Sequence, residues 1–195
     1  MRAHATTTRA LRWWIWAAGS MGLVGCELEP ASEPRDALSL VDHDWWVQAS
    51  PAMDPYVHRR PQQGANCDAE LGFSPESFVG ASGEVPAFEI DTGWCNFLTV
   101  EQPALADLRT GEQLRVLLWH YELLAPEPST AYVALALEGQ TVWDETVLIP
   151  NEATLIEAVI PVDQPWPEGS AVQFHVDNHG ANTWELLEIV REPAL

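Results

Sequence analysis

From residue 84 onward, apolar side chains recur at every second position in short runs bounded by turn-forming residues. Ala87–Asp91 sets Phe88 and Ile90 on one face. Asn96–Val100 follows. Gln113–Glu122 places Leu114, Val116, Leu118 and His120 on one side, with Arg115, Leu117, Trp119 and Tyr121 on the other. Ala131–Leu137 aligns Val133, Leu135 and Leu137. Glu138-Gly139-Gln140 then reads as a hairpin turn, with Thr141–Ile149 as its return strand. Thr154–Ile160, Ala171–Val176 and Thr183–Val190 complete the series; Val172, Phe174 and Val176 point inward and Gln173 and His175 outward. Period 2 fits these runs better than period 3.6. No stretch offers a capped amphipathic helix of ten or more residues, although a short helix around Pro103–Leu108 (PALADL) is compatible with the pattern. About eight strands at this spacing, without internal repeats, predict an all-β antiparallel sandwich of jelly-roll or immunoglobulin-like type.

The N-terminal part has another texture. Residues 1–25 carry Arg2, Arg9 and Arg12, then an apolar run from Trp13 to Gly25 in which only Ser20 is polar. That run is short for a bilayer span and suits the apolar region of an export signal. Residues 26–41 are acidic, contain Pro30 and Pro34, and read as a tether. Residues 42–66 hold three prolines and no clean period, yet Trp45, Trp46, Val47 and Tyr56 are too apolar for an idle linker. A short strand near Trp45, or an extended segment packed on the domain, is expected there. The sandwich is assigned to 67–195.

The export signal ends Leu23-Val24-Gly25-Cys26, which resembles the bacterial lipobox. The resemblance implies a diacylglycerol thioether on Cys26, cleavage before it and acylation of its amine by a fatty acid such as palmitate. Several acyl chains hold a protein durably, because one alone is marginal. Glu27 rather than Asp follows Cys26, which under enteric-type sorting favours the outer membrane. The expected location is therefore the cell envelope, lipid-anchored, at its periplasmic face or surface.

Charge excludes some partners. The 195 residues contain 9 Arg and no Lys against 29 Asp and Glu, a net of -20. Such a chain lacks the basic surface that nucleic acid or an anionic headgroup layer requires. With Cys26 assigned to lipid, Cys67 and Cys95 remain as an even pair in an exported chain, so a disulfide between them is expected.

The run Asp91-Thr92-Gly93-Trp94-Cys95-Asn96, with a last strand rich in Trp and Asn, resembles the galactose-binding-like jelly rolls of exported bacterial proteins. The resemblance spans about 67–191 and implies a domain that binds glycans or other proteins at its loop ends. Structural calcium, which the resembled type often carries, would find oxygens on Asp91, Asp177 or Asn182.

No GxSxG, HExxH, phosphate-cradling glycine loop or CxxC occurs. The densest constellation, His175-Val176-Asp177-Asn178-His179-Gly180, lies on a turn, where Asp, Asn and Gly are ordinary. His175, His179 and Asp177, with His120 from a neighbouring strand, are the metal candidates. Indole faces stack on sugar rings, and they also fill cores. If the second face of 113–122 is open, Arg115, Trp119 and Tyr121 form a binding stripe; Trp184 joins them as a ligand-binding candidate. The leading expectation is a lipid-anchored envelope module that binds a glycan or an envelope protein and catalyses nothing. The alternatives are an extracytoplasmic enzyme, using a metal on His120, His175 and His179 or a pair of carboxylates, and a purely structural surface lipoprotein.

Overall fold

The computed structural model describes residues 36–61, 64–68, 70–80 and 83–193. The expected export signal, Cys26 and most of the expected tether lie outside them. Among the described residues no helix is long and apolar enough to cross a membrane.

Among the described residues eleven strands pair antiparallel in two sheets. They are β1 (Leu38–Ser39), β2 (Val47–Gln48), β3 (Phe73–Gly80), β4 (Gly83–Asp91), β5 (Phe97–Pro103), β6 (Gln113–His120), β7 (Ser129–Leu137), β8 (Gln140–Ile149), β9 (Thr154–Pro161), β10 (Ala171–Asn178) and β11 (Thr183–Glu192). The first sheet has the order β3-β4-β11-β6-β9, with β1 also pairing β11; the second has β2-β5-β10-β7-β8. The alternating orders β4-β11-β6-β9 and β5-β10-β7-β8 are those of a jelly roll, which decides between the two sandwich types expected.

The core takes the residues that alternation grouped on one face, and with them Leu98, Val100, Trp184, Leu186 and Ile189, to which no face was assigned. Phe88, Ile90, Leu114, Val116, Leu118, Trp184, Leu186 and Ile189 of the first sheet meet Leu98, Val100, Val133, Leu135, Leu137, Val172, Phe174 and Val176 of the second. Each such burial contributes about 1.5–3 kcal/mol. The β7–β8 turn works because Glu138 and Gly139 both take positive φ, 50° and 78°, the twist that a two-residue hairpin turn needs.

Three local expectations change. Pro103–Leu108 forms no helix: β5 runs to Pro103, and Leu108 then makes a bridge to Trp166. The boundary of the tether at 41 is too late, since β1 pairs β11 and Leu40 and Val41 enter the core. The chain then passes from the first sheet to the second through a 3-10 turn at His43–Trp45 and reaches β5 as β2. The strand β3 lies before the first run that alternation picked out; Pro75 breaks its pattern and is tolerated because β3 is an edge. Cys67 and Cys95 form the expected disulfide.

Candidate functional site

The strands β4, β11, β6 and β9 bring outward residues into register. One row across the first sheet runs Ser74, Glu89, Glu185, Trp119, Leu155. Tyr121 continues the outward side of β6 just past the strand, its N–H bonded to the Thr183 carbonyl. Toward the other end of the sheet Arg115 lies between Val159 and Val190. The expected stripe of Arg115, Trp119 and Tyr121 therefore shares one outer face. Tyr121 is its most accessible member, 47 % exposed, and Leu155 and Val159 are exposed beside it.

Aromatic rings organise this face. Trp119 packs edge-on to Tyr121, with centroids 6.1 Å apart at 89°, and against Phe78 at 5.7 Å. Arg115 is held by two carboxylates of β11, Nε to Glu192 at 2.6 Å and Nη1 to Glu188 at 2.9 Å, and these bonds favour its charged form. Beside the aromatics, Glu89 and Glu185 stand directly opposite each other on paired strands, an unfavourable placement for two like charges. Glu185 is only 4 % exposed. Burial first, then Glu89 and Glu76, push its carboxyl up to about 7. Burial, Glu76 and Asp91 likewise raise Glu89. One protonated carboxyl beside one ionised carboxyl provides a donor and an acceptor together. Phe78, Glu89 and Glu185 were missed from the sequence. The last two were legible as the outward positions between Phe88 and Ile90 and between Trp184 and Leu186.

The remaining candidates lie elsewhere. Trp184 is fully buried in the core, its ring 5.0 Å from His120, so it offers no face to a ligand. It alternates inward with Leu186, the reverse of an exposed position. His120 is also interior, and its Nδ1 donates to the Tyr121 carbonyl at 2.8 Å. His175 occupies the outer side of the second sheet, His179 is exposed on the loop after β10, and Asp177 faces Arg59 at 3.9 Å. Among the described residues no three His, Cys, Asp or Glu side chains are placed to hold a metal ion.

The oxygens considered for calcium have separate partners. Asp91 Oδ1 accepts from the Gly93 N–H, and Asn182 Oδ1 accepts from the Leu124 N–H. The constellation after β10 is instead a buried knot. Thr92 Oγ1 accepts from the Asn182 N–H and from Asn178 Nδ2, both at 2.9 Å, and donates to the Gly180 carbonyl at 2.7 Å. Gly180 has φ of 110°, and any Cβ there would collide with the Leu124 carbonyl.

The outer face of the second sheet is closed by residues 49–60. Tyr56 stacks on His175 at 4.5 Å, and its hydroxyl bonds Thr141 Oγ1 at 3.1 Å. His175 Nδ1 donates to Thr99 Oγ1 at 2.8 Å, which donates to Asp54 Oδ1 at 2.7 Å. Arg59 lies 3.5 Å above the Tyr132 ring. Burial, reinforced by the charge of Arg59, lowers His175 to about 3, so the ring is neutral.

No protein-family model matches the chain, and no curated protein does. Among solved structures, it is similar to the K1 cleaved adhesin domain of Lys-gingipain from Porphyromonas gingivalis W83 (11 % identity, 82 % of this chain and 97 % of that one, TM-score 0.45). It is similar to a family 51 carbohydrate-binding module from Clostridium perfringens in complex with methyl-galactose (11 %, 80 % and 99 %, 0.41). It also resembles part of an arabinose-bound α-L-arabinofuranosidase at 10 % identity and TM-score 0.42; there it matches 26 % of the longer chain with 80 % of its own.

Proposed function

We propose that this chain is a glycan-binding module held at the cell envelope by lipid on Cys26, and that the outer face of the first sheet is its platform. The observation that carries the reading is the aromatic edge of β6, where Tyr121 is exposed and Trp119 is half-buried against Phe78. Tyr121 and Trp119 stand at right angles, and the carboxyl pair of Glu89 and Glu185 lies in register with Trp119. An exposed ring supplies an apolar plane for the face of a sugar. Glu89, in the same row as Trp119, supplies acceptors for hydroxyls at its rim. The acidity of the chain makes neutral glycans better ligands than anionic ones. A glycan array probed with the purified protein, once with calcium and once with chelator, tests the ligand class. Specific binding that Tyr121→Ala weakens supports the reading. A blank array in both conditions overturns it and turns the search to an envelope protein. For the anchor, Cys26→Ser is expected to release the chain from the membrane fraction.

A further inference from the structure

The closing segment leaves one end of the second sheet uncovered. There a groove of about 600 Å³ runs beside β2 and β5. Trp45, Val47, Met53 and Pro103 wall it, and Asp44 and Glu101 are its charged residues. Trp45 is 53 % exposed, and Val47 and Met53 are similarly open, so an indole, two flexible or branched apolar side chains and two acids face the same space. The Oε2 of Glu101 is out of contact with solvent and has no hydrogen-bond partner among the described residues. A buried oxygen without a partner is costly, so turning the Glu101 carboxylate toward a donor in the groove would relieve it.

Among the described residues no basic side chain lines the groove. The chain has no Lys. The five described arginines are engaged elsewhere: Arg59 over Tyr132, Arg60 over Phe97, Arg109 and Arg191 with Asp107, and Arg115 with Glu188 and Glu192. Among the described residues, then, two carboxylates of the groove face no cation of this chain, and a cationic group of a partner would complement them.

We propose that the groove receives a lysine side chain of a basic partner protein. Its alkyl stem would lie along Trp45 and Met53, and its ammonium would pair with the carboxylates of Asp44 and Glu101. An indole face attracts a cation, and aliphatic stems pack well on apolar walls. A single recessed acceptor suits a compact ammonium better than the planar fork of a guanidinium, which is most effective on two coplanar oxygens. This site lies on the second sheet, so it stands or falls independently of the glycan platform.

The test uses Nα-acetyl-lysine amide as the probe, titrated into the full chain while the Trp45 indole N–H is followed by NMR. Nα-acetyl-norleucine amide, Nα-acetyl-arginine amide and methyl glycosides serve as comparisons. A saturable shift with the lysine probe is expected, about tenfold weaker with the uncharged norleucine probe and weakened at high salt. Glu101→Gln and Trp45→Ala are each expected to weaken it about fivefold. Trp45 is a surface residue, and an unchanged circular dichroism spectrum will show that its variant folds. Equal binding of norleucine, preference for the arginine probe or for a glycoside, indifference to both substitutions, or no saturable response would each overturn the proposal.

Discussion

The two outer faces of this sandwich descend from the same alternation and end in opposite states. On the first sheet the outward row Glu89, Glu185, Trp119 ends at side chains that remain open to solvent, Tyr121 and Leu155. On the second, the outward residues Thr99, His175 and Tyr132 are roofed by Tyr56 and Arg59. Aromatic and titratable residues occur on both. Exposure, rather than residue type, separates a surface that can receive a ligand from one that already holds its own chain.

The largest effect is expected from unroofing the second sheet. Tyr56 is buried and stacked on His175, so Tyr56→Ala should cost about 3–5 kcal/mol, measured by denaturant unfolding. A loss below 1 kcal/mol would mean that the roof is loosely seated. Next comes the disulfide. It spans 28 residues, and replacing both cysteines with Ser should cost about 3–4 kcal/mol if the constraint on the unfolded chain dominates.

The two faces should also answer pH in opposite directions. Glu185 sits near 7 in the fold, above its ordinary value of 4.5, so the folded state favours its protonated form. Stability from that preference is present below pH 4.5 and is lost as pH rises toward 7. Glu185→Gln should therefore stabilise the protein at pH 8 by about 1–2 kcal/mol and do little at pH 4. His175 sits near 3, below its ordinary 6.5, so the fold favours its neutral form. Its contribution is complete above pH 6.5 and is lost as pH falls toward 3. His175→Phe keeps a ring under Tyr56 and should flatten that acid limb of the stability profile. Coincident pH profiles for the two variants would erase the contrast between the faces. The smallest effect on stability belongs to Tyr121→Ala, within about 0.5 kcal/mol, because the ring is at the surface.

Much of this was legible along the chain. Eight strands with their inward residues follow from period 2, because a half-buried strand must alternate. The Arg115–Trp119–Tyr121 side of β6 was legible for the same reason. Whether that side stayed open was a tertiary question. The roof over the second sheet comes from residues 49–60, and its contacts with Thr99, Thr141 and His175 join positions far apart in sequence. One local sign existed: Ala134 and Ala136 make β7 continuously apolar, the mark of a strand buried on both faces. Trp184 was misjudged because a large indole can serve as core or platform; only its register with Leu186 sends it inward. Pro75 hid β3, and the small loop between Asn178 and Asn182 looked like candidate ligands when its groups bond one another and Thr92.

The most direct test of the open face is a titration of the purified protein with the strongest glycan from an array, beside Tyr121→Ala at matched stability. Binding by the unaltered protein, weakened about tenfold or more in the variant, is the predicted result, since a ring stacked on a ligand contributes a kcal/mol or more. Glycan affinity unchanged by Tyr121→Ala, or no glycan bound at all, would contradict a sugar platform on the first sheet.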